Sequence, residues 1–172
     1  MVITLIGMPG VGKTELGKRL AKLMDYGFID PDQLIRQRTH QDLIDIIDRS
    51  GTDAMMRIEE ETILNLTHLA RMVLAPGGSV VYSQKAMRHL KKQSIIVYLQ
   101  DSFENIQRRV TDAAKRGIVG LKEKGFEAVF AERQPLYEKY ADHVFRLEGD
   151  FDPDAWAQQL FQFLKDHYEF TP

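Results

Sequence analysis

The segment Gly7-Met8-Pro9-Gly10-Val11-Gly12-Lys13-Thr14 has the spacing G-x-x-x-x-G-K-[ST], the loop that cradles phosphate groups in nucleotide-hydrolysing and nucleotide-transferring proteins. Phosphate chemistry accounts for each residue type. Gly10 and Gly12 let the backbone approach phosphate oxygens with no Cβ in the way. The N–H groups at the start of the following helix point at the same place, and the helix dipole adds positive charge there. Lys13 can reach the β- and γ-phosphates, and the Thr14 hydroxyl can ligate Mg²⁺. Val11 and Glu15 complete the expected nucleotide-binding set, with ATP and Mg²⁺ as the expected ligands. A chance match in an ordinary βα turn is expected in roughly one chain in a few hundred from average composition.

Such a loop works only between a strand and a helix, and the flanking residues supply both. Val2-Ile3-Thr4-Leu5-Ile6 reads as a buried strand, and Leu16, Leu20 and Leu23 follow at helical spacing. The rest of the chain alternates in the same way. Strands are expected at Tyr26–Ile29, Met72–Ala75, Ser94–Leu99 and Val144–Leu147. Helices are expected within Pro31–Arg49, over Thr52–Met72, around Lys85–Lys92, over Ser102–Lys115 and Phe126–Tyr140, and from Asp152-Pro153 onward. Pro135 should kink or split its helix. Alternation of this kind predicts an α/β fold of three layers, α/β/α, around a parallel five-stranded sheet.

The chain has 172 residues, consistent with a single domain over 1–172. Its 23 basic and 25 acidic side chains leave a net charge of −2, which gives no electrostatic footprint for nucleic acid. It has no cysteine, which excludes disulfides and thiolate metal sites and suits a cytoplasmic protein. No apolar run approaches the ~18 residues of a membrane span, and Met1 leads straight into a strand with no signal-peptide pattern before it.

Asp30 and Asp32, in Phe28-Ile29-Asp30-Pro31-Asp32, fall at the C-terminal end of the second strand. Ligands of doubly wound sheets bind outside strand C-termini, so either carboxylate can face the crevice of Lys13 and Thr14. One can hold Mg²⁺ through water and the other can accept a hydroxyl proton, the base role in phosphoryl transfer. A helix cap before Pro31 is an equally weighted reading. Gly77 and Gly78 end the third strand at the same edge, where they permit close backbone approach or simply make a tight turn. Arg57 and Arg109 have ordinary explanations as ion-paired or solvated charges, Arg133 lies beside Pro135, and none of these arginines is informative alone. Arg116 opens a glycine-flanked loop that can close over a transferring phosphoryl group.

Taken in order, these features resemble the shikimate kinase family, whose chains carry a phosphate loop, F-x-D-x-D, F-R-x-x-E, a strand ending in three glycines, a lid arginine and R-x-P-L-Y. The matching segments here are Gly7–Thr14, Phe28–Asp32, Met56-Arg57-Ile58-Glu59-Glu60, Ala75-Pro76-Gly77-Gly78-Ser79, Arg116 and Arg133-Gln134-Pro135-Leu136-Tyr137. The resemblance covers essentially the whole chain. It implies a P-loop kinase of the nucleoside-monophosphate-kinase-like fold, with a mobile lid at about 112–126 and a substrate-binding helical region at about 31–62. It implies that Asp30 sits near Mg²⁺, that Asp32 binds the acceptor hydroxyls and orients or deprotonates the attacking one, and that Arg57 and Arg133 clamp a carboxylate. Gly77 and Gly78 would contact the substrate ring, Arg116 would close onto the phosphates, and Arg109 would lie against adenine. Transfer of the ATP γ-phosphoryl to shikimate by a cytoplasmic monomer is the implied activity.

Ser79 stands in place of the third glycine, Pro76 in place of a small hydroxyl residue, Met56 in place of the aromatic, and Gly117 in place of a lid proline. These departures bear on the acceptor and leave the phosphate chemistry intact. Two further readings stay open: a kinase of another carboxylated polyol such as gluconate, or a non-catalytic nucleotide-binding protein on the same fold.

Overall fold

The computed structural model describes residues 1–110, 112 and 115–169. Five strands form one sheet: β1 (Val2–Ile6), β2 (Gly27–Ile29), β3 (Met72–Leu74), β4 (Ile95–Gln100) and β5 (His143–Arg146). Their order is β2-β3-β1-β4-β5 and every pairing is parallel. Residues of β1 are buried throughout, because helices cover both faces of a parallel sheet. This is the three-layer arrangement expected from the alternation of strand and helix signals.

Helix α1 (Lys13–Met24) starts directly from the phosphate loop and lays Leu16, Leu20 and Ala21 against the sheet. It is close enough that a Cβ at Gly17 would lie 2.7 Å from the Phe28 ring on β2. The region 31–62 holds three helices, α2 (Pro31–Thr39), α3 (Leu43–Ser50) and α4 (Thr52–Leu64). They enclose a small core of their own, made of Ile35, Leu43, Ile46, Met55 and Val119. Val119 comes from the expected lid, so that segment is packed onto this helical region. Gly117 abuts α3, where a Cβ would meet the Ile44 backbone N at 2.7 Å. The lid also carries the short helix α7 (Leu121–Lys124), whose Lys122 pairs with Asp48 of α3.

The remaining helices are α5 (Gln84–Gln93), α6 (Phe103–Arg109), α8 (Phe126–Tyr140) and α9 (Pro153–His167), with a 3₁₀ turn at Gly78–Tyr82 that no sequence pattern announced. Three expectations differ. The helix expected over 52–72 ends at Leu64. Beyond it the Leu66 carbonyl accepts hydrogen bonds from His89 and Gln93 of α5, so the connection is satisfied without a longer helix. The helix expected over 102–115 stops at Arg109, because Val110 butts against the phosphate loop and its Cγ2 lies 2.1 Å from where a Gly10 Cβ would be. Of the residues beyond it, 111, 113 and 114 lie outside the described residues. Helix α8 runs unbroken through Pro135. Pro135 and Ala131 are both exposed, so the carbonyl that loses its helical donor is open to water.

Candidate active site

The C-terminal ends of β1, β2 and β3 open into a cavity of about 730 Å³. Its floor is the phosphate loop. Gly12 caps α1 at φ 106°, a left-handed conformation that suits glycine, and it faces Phe151, whose ring would lie 3.0 Å from a Cβ there. Lys13 is buried, and its Nζ donates to the carbonyls of Gly7 at 2.8 Å and Met8 at 2.9 Å. Burial lowers its pKa to about 8, against the opposing pull of Asp32. Thr14 and Glu15 also line the cavity, and the Glu15 carboxylate is paired with Arg19 at 2.8 Å.

Asp30 caps α2: its Oδ1 accepts from the N–H groups of Asp32 at 3.0 Å and Gln33 at 3.3 Å. It also lines the cavity, so the capping and site readings coincide in one residue. Asp32 lies in the first turn of α2 with Oδ1 buried and without a hydrogen-bond partner among the described residues. Its pKa is raised, first by burial and next by the charge of Asp30. Glu59 of α4 is fully buried, and burial followed by the charge of Asp32 raises its pKa as well. The free oxygens of both acids converge on Gly77: a Cβ there would sit 2.6 Å from Glu59 Oε1 and 2.9 Å from Asp32 Oδ1.

Arg133 of α8 is 1 % exposed. Its Nη2 donates to the Val119 carbonyl at 2.7 Å, its Nε donates to the Tyr82 hydroxyl at 3.3 Å, and the guanidinium lies 5.1 Å from the Tyr82 ring centre. The remaining nitrogen, Nη1, faces Gly78, where a Cβ would lie 2.9 Å away. Tyr137 of the same helix donates to the Gly78 carbonyl at 2.7 Å and fixes that turn. Arg116 is exposed and lines the cavity from the lid. Arg109 pairs with Asp101 at 2.7 Å and packs 5.1 Å from the ring centre of Phe151 and 5.4 Å from that of Trp156. A flat cation beside two aromatic rings at the cavity edge can receive a planar base.

Arg57 is placed elsewhere. It is exposed on α4 and lines a neighbouring hollow of about 340 Å³, whereas Arg133 lines the main cavity. The sequence reading set the two arginines side by side, and the structure does not. Of three residues that it passed over, Arg36 and Phe151 line the cavity and Glu59 abuts it at Gly77. Glu59 was lost in the run Glu59-Glu60-Glu61, where only burial distinguishes one acid from the next. Arg36 lines the cavity one helical turn after Asp32, a spacing that was legible. Phe151, from a loop without periodicity, gave no signal.

A sequence profile described as "Shikimate kinase" matches residues 9–165. The chain belongs to the shikimate kinase family. It is 34% identical over 162 residues to a shikimate kinase of Thermodesulfovibrio yellowstonii, covering 93% of this chain and 92% of that one. It is 32% identical over 166 residues to a shikimate kinase of Aliivibrio fischeri, covering 95% and 96%. Among solved structures, the shikimate kinase of Acinetobacter baumannii in complex with shikimate superposes with a TM-score of 0.88 at 27% identity, covering 96% of this chain and 93% of that one. The Aquifex aeolicus shikimate kinase shares the fold, with a TM-score of 0.82 at 23% identity over 97% and 98% of the two chains.

Membership makes the register of α4 informative. In the spacing F-R-x-x-E the glutamate follows the arginine by three. Read with Arg57 as the arginine, the glutamate is Glu60, which is half-buried and bonded to Ser83. The glutamate that the fold encloses is Glu59. Counting back from it puts Met56 at the arginine position and the buried Met55 at the aromatic one. Arg57 then lies about 100° further round the helix, and both it and Met56 line the neighbouring hollow.

Proposed function

We propose that this chain transfers the γ-phosphoryl group of ATP to a hydroxyl of shikimate. The observation that carries the reading is a half-buried carboxylate with one enclosed, unpartnered oxygen, Asp32, and a buried guanidinium, Arg133, facing one cavity with the phosphate-loop Lys13. That combination describes an acceptor with hydroxyls at one end and a carboxylate at the other, and membership in the shikimate kinase family supports shikimate. The Thr14 hydroxyl and, through water, the Asp30 carboxylate are hard oxygen donors of the kind Mg²⁺ takes alongside phosphates, so the site fits Mg²⁺. The metal would supply charge neutralisation on the β- and γ-phosphates.

The chain's own residues do the rest. Backbone N–H groups from Gly10 to Thr14 hold the phosphates at the start of α1. Lys13 exchanges its two carbonyl partners for phosphate oxygens. Asp32 orients the acceptor hydroxyl and takes its proton as the new P–O bond forms and the bond to the leaving β-phosphate oxygen breaks. Arg133 pairs with the acceptor carboxylate, Gly77 and Gly78 allow the ring to approach, and Arg116 closes from the lid onto developing negative charge. Arg109 receives the adenine. We further propose that the protein acts as a cytoplasmic monomer without nucleic-acid partners. Its cysteine-free, charge-balanced composition supports this, and among the described residues no helix is long and apolar enough to cross a membrane.

The deciding experiment is ADP release with Mg-ATP alone and with shikimate, quinate or gluconate. Stimulation by shikimate above the other two is the expected result. Stimulation by gluconate or quinate instead would reassign the acceptor, and ATP binding with no stimulation by any would mark a non-catalytic binder.

A further inference from the structure

Resting on that reading, we infer that Arg36 of α2 is the second cation of the acceptor clamp, in the role that Arg57 cannot fill. A planar carboxylate is held best by two donors at once. Arg133 turns only Nη1 toward Gly78, beside the Tyr137 hydroxyl, because its Nη2 and Nε are committed to Val119 and Tyr82. The helix that places an arginine opposite it in sequence, α4, instead presents Met55 to the cavity and carries Arg57 over the neighbouring hollow.

Arg36 lines the main cavity. It follows Asp32 by four residues on α2, so the two side chains share a helix face with Cβ atoms about 6 Å apart. Its charge is felt at the Asp32 carboxyl, where it opposes the effect of burial. One helix face thus carries both an acid for the acceptor hydroxyl and a cation for its carboxylate, spaced for a small ring. The other cations on the cavity wall lie apart from that face: Lys13 belongs to the phosphate loop, Arg109 is held by Asp101, and Lys115 and Arg116 belong to the lid. Arg36 is also free to move. Its ion pair among the described residues is with Asp42, at 3.5 Å from Nε, with both side chains substantially exposed. A pair that long and that wet is weak and yields readily to a ligand.

The test compares the unsubstituted protein with Arg36→Met and Arg57→Met, using shikimate and its uncharged methyl ester as acceptors. ATP affinity and thermal midpoint serve as folding controls. Arg36→Met is expected to raise KM for shikimate by about tenfold while changing KM for the ester by less than about twofold. Arg36→Lys, which keeps the charge and loses the fork, is expected to fall between the two. Arg57→Met is expected to leave both acceptors within about twofold of the starting values. The inference is overturned if Arg57→Met carries the acid-selective loss, or if Arg36→Met penalises acid and ester equally. Failure of the functional reading is a different result: the unsubstituted protein then shows no shikimate-stimulated ADP release.

Discussion

The Ser79 hydroxyl donates a 2.6 Å hydrogen bond to Glu59 Oε2, inside the protein and beside the acceptor end of the cavity. The residue that replaces the third glycine of the triplet is therefore the partner of an enclosed acid. The opposite oxygen, Oε1, has no hydrogen-bond partner among the described residues and faces Gly77. Removing the hydroxyl leaves the acid without its side-chain donor. Ser79→Ala is expected to lower stability by about 1–3 kcal/mol at pH 8, measured by urea denaturation.

Burial first, and the charge of Asp32 next, raise the Glu59 pKa from 4.5 to about 7. The folded state therefore holds a proton that the unfolded chain has released, and stability falls as pH rises from about 4.5 through about 7. Glu59→Gln removes that ionisation. Thermal midpoints across this range should decline less steeply for the variant than for the parent. Equal slopes would show that Glu59 does not carry the effect.

Asp32 acts as its carboxylate, and burial has raised its pKa to about 6. Acceptor turnover is therefore expected to rise as pH climbs through about 6, well above the usual range for an aspartate. Because the charge of Asp30 adds to burial in raising the Asp32 pKa, Asp30→Asn, which keeps a capping oxygen, should move this acid limb to lower pH. Asp32→Asn should lower kcat by about 10²- to 10⁴-fold with ATP affinity preserved. A pH profile of kcat/KM for the acceptor, with ATP saturating, checks all three.

Lys13 has the opposite sign. Burial lowers its pKa, so the free protein loses that positive charge as pH rises through about 8. ATP affinity should fall over the same range, measured by calorimetry without acceptor. Lys13→Met should weaken ATP binding and flatten that dependence, while acceptor affinity changes far less.

Arg133→Lys keeps a charge and loses the planar fork, so it should raise KM for the acceptor about tenfold or more with little change for ATP. Gly78→Ala should do similar damage by a different route. Its Cβ would lie 2.8 Å from Pro9 Cδ and 2.9 Å from Arg133 Nη1, so the clamp has to move to admit it. Steady-state kinetics of the two variants should show the same acceptor-specific loss.

Local chemistry was legible in the sequence by itself. The phosphate loop must join a strand to a helix, and Val2–Ile6 and α1 do so because apolar periodicity and glycine placement are written within a few residues. The parallel sheet follows from alternation of strand and helix signals, and Asp30 and Asp32 follow from their place at a strand end. What tertiary structure decided is which of several identical residue types faces inward. Glu59, Glu60 and Glu61 are adjacent and chemically alike, and the rotation of α4 against the 3₁₀ turn buries the first. That same rotation turns Arg57 away, while α2, set by the Asp30 cap and the small core around Ile35, brings Arg36 to the cavity. A helix step of about 100° is small in sequence and decisive in space, because a side chain that misses a cavity by one position meets solvent instead.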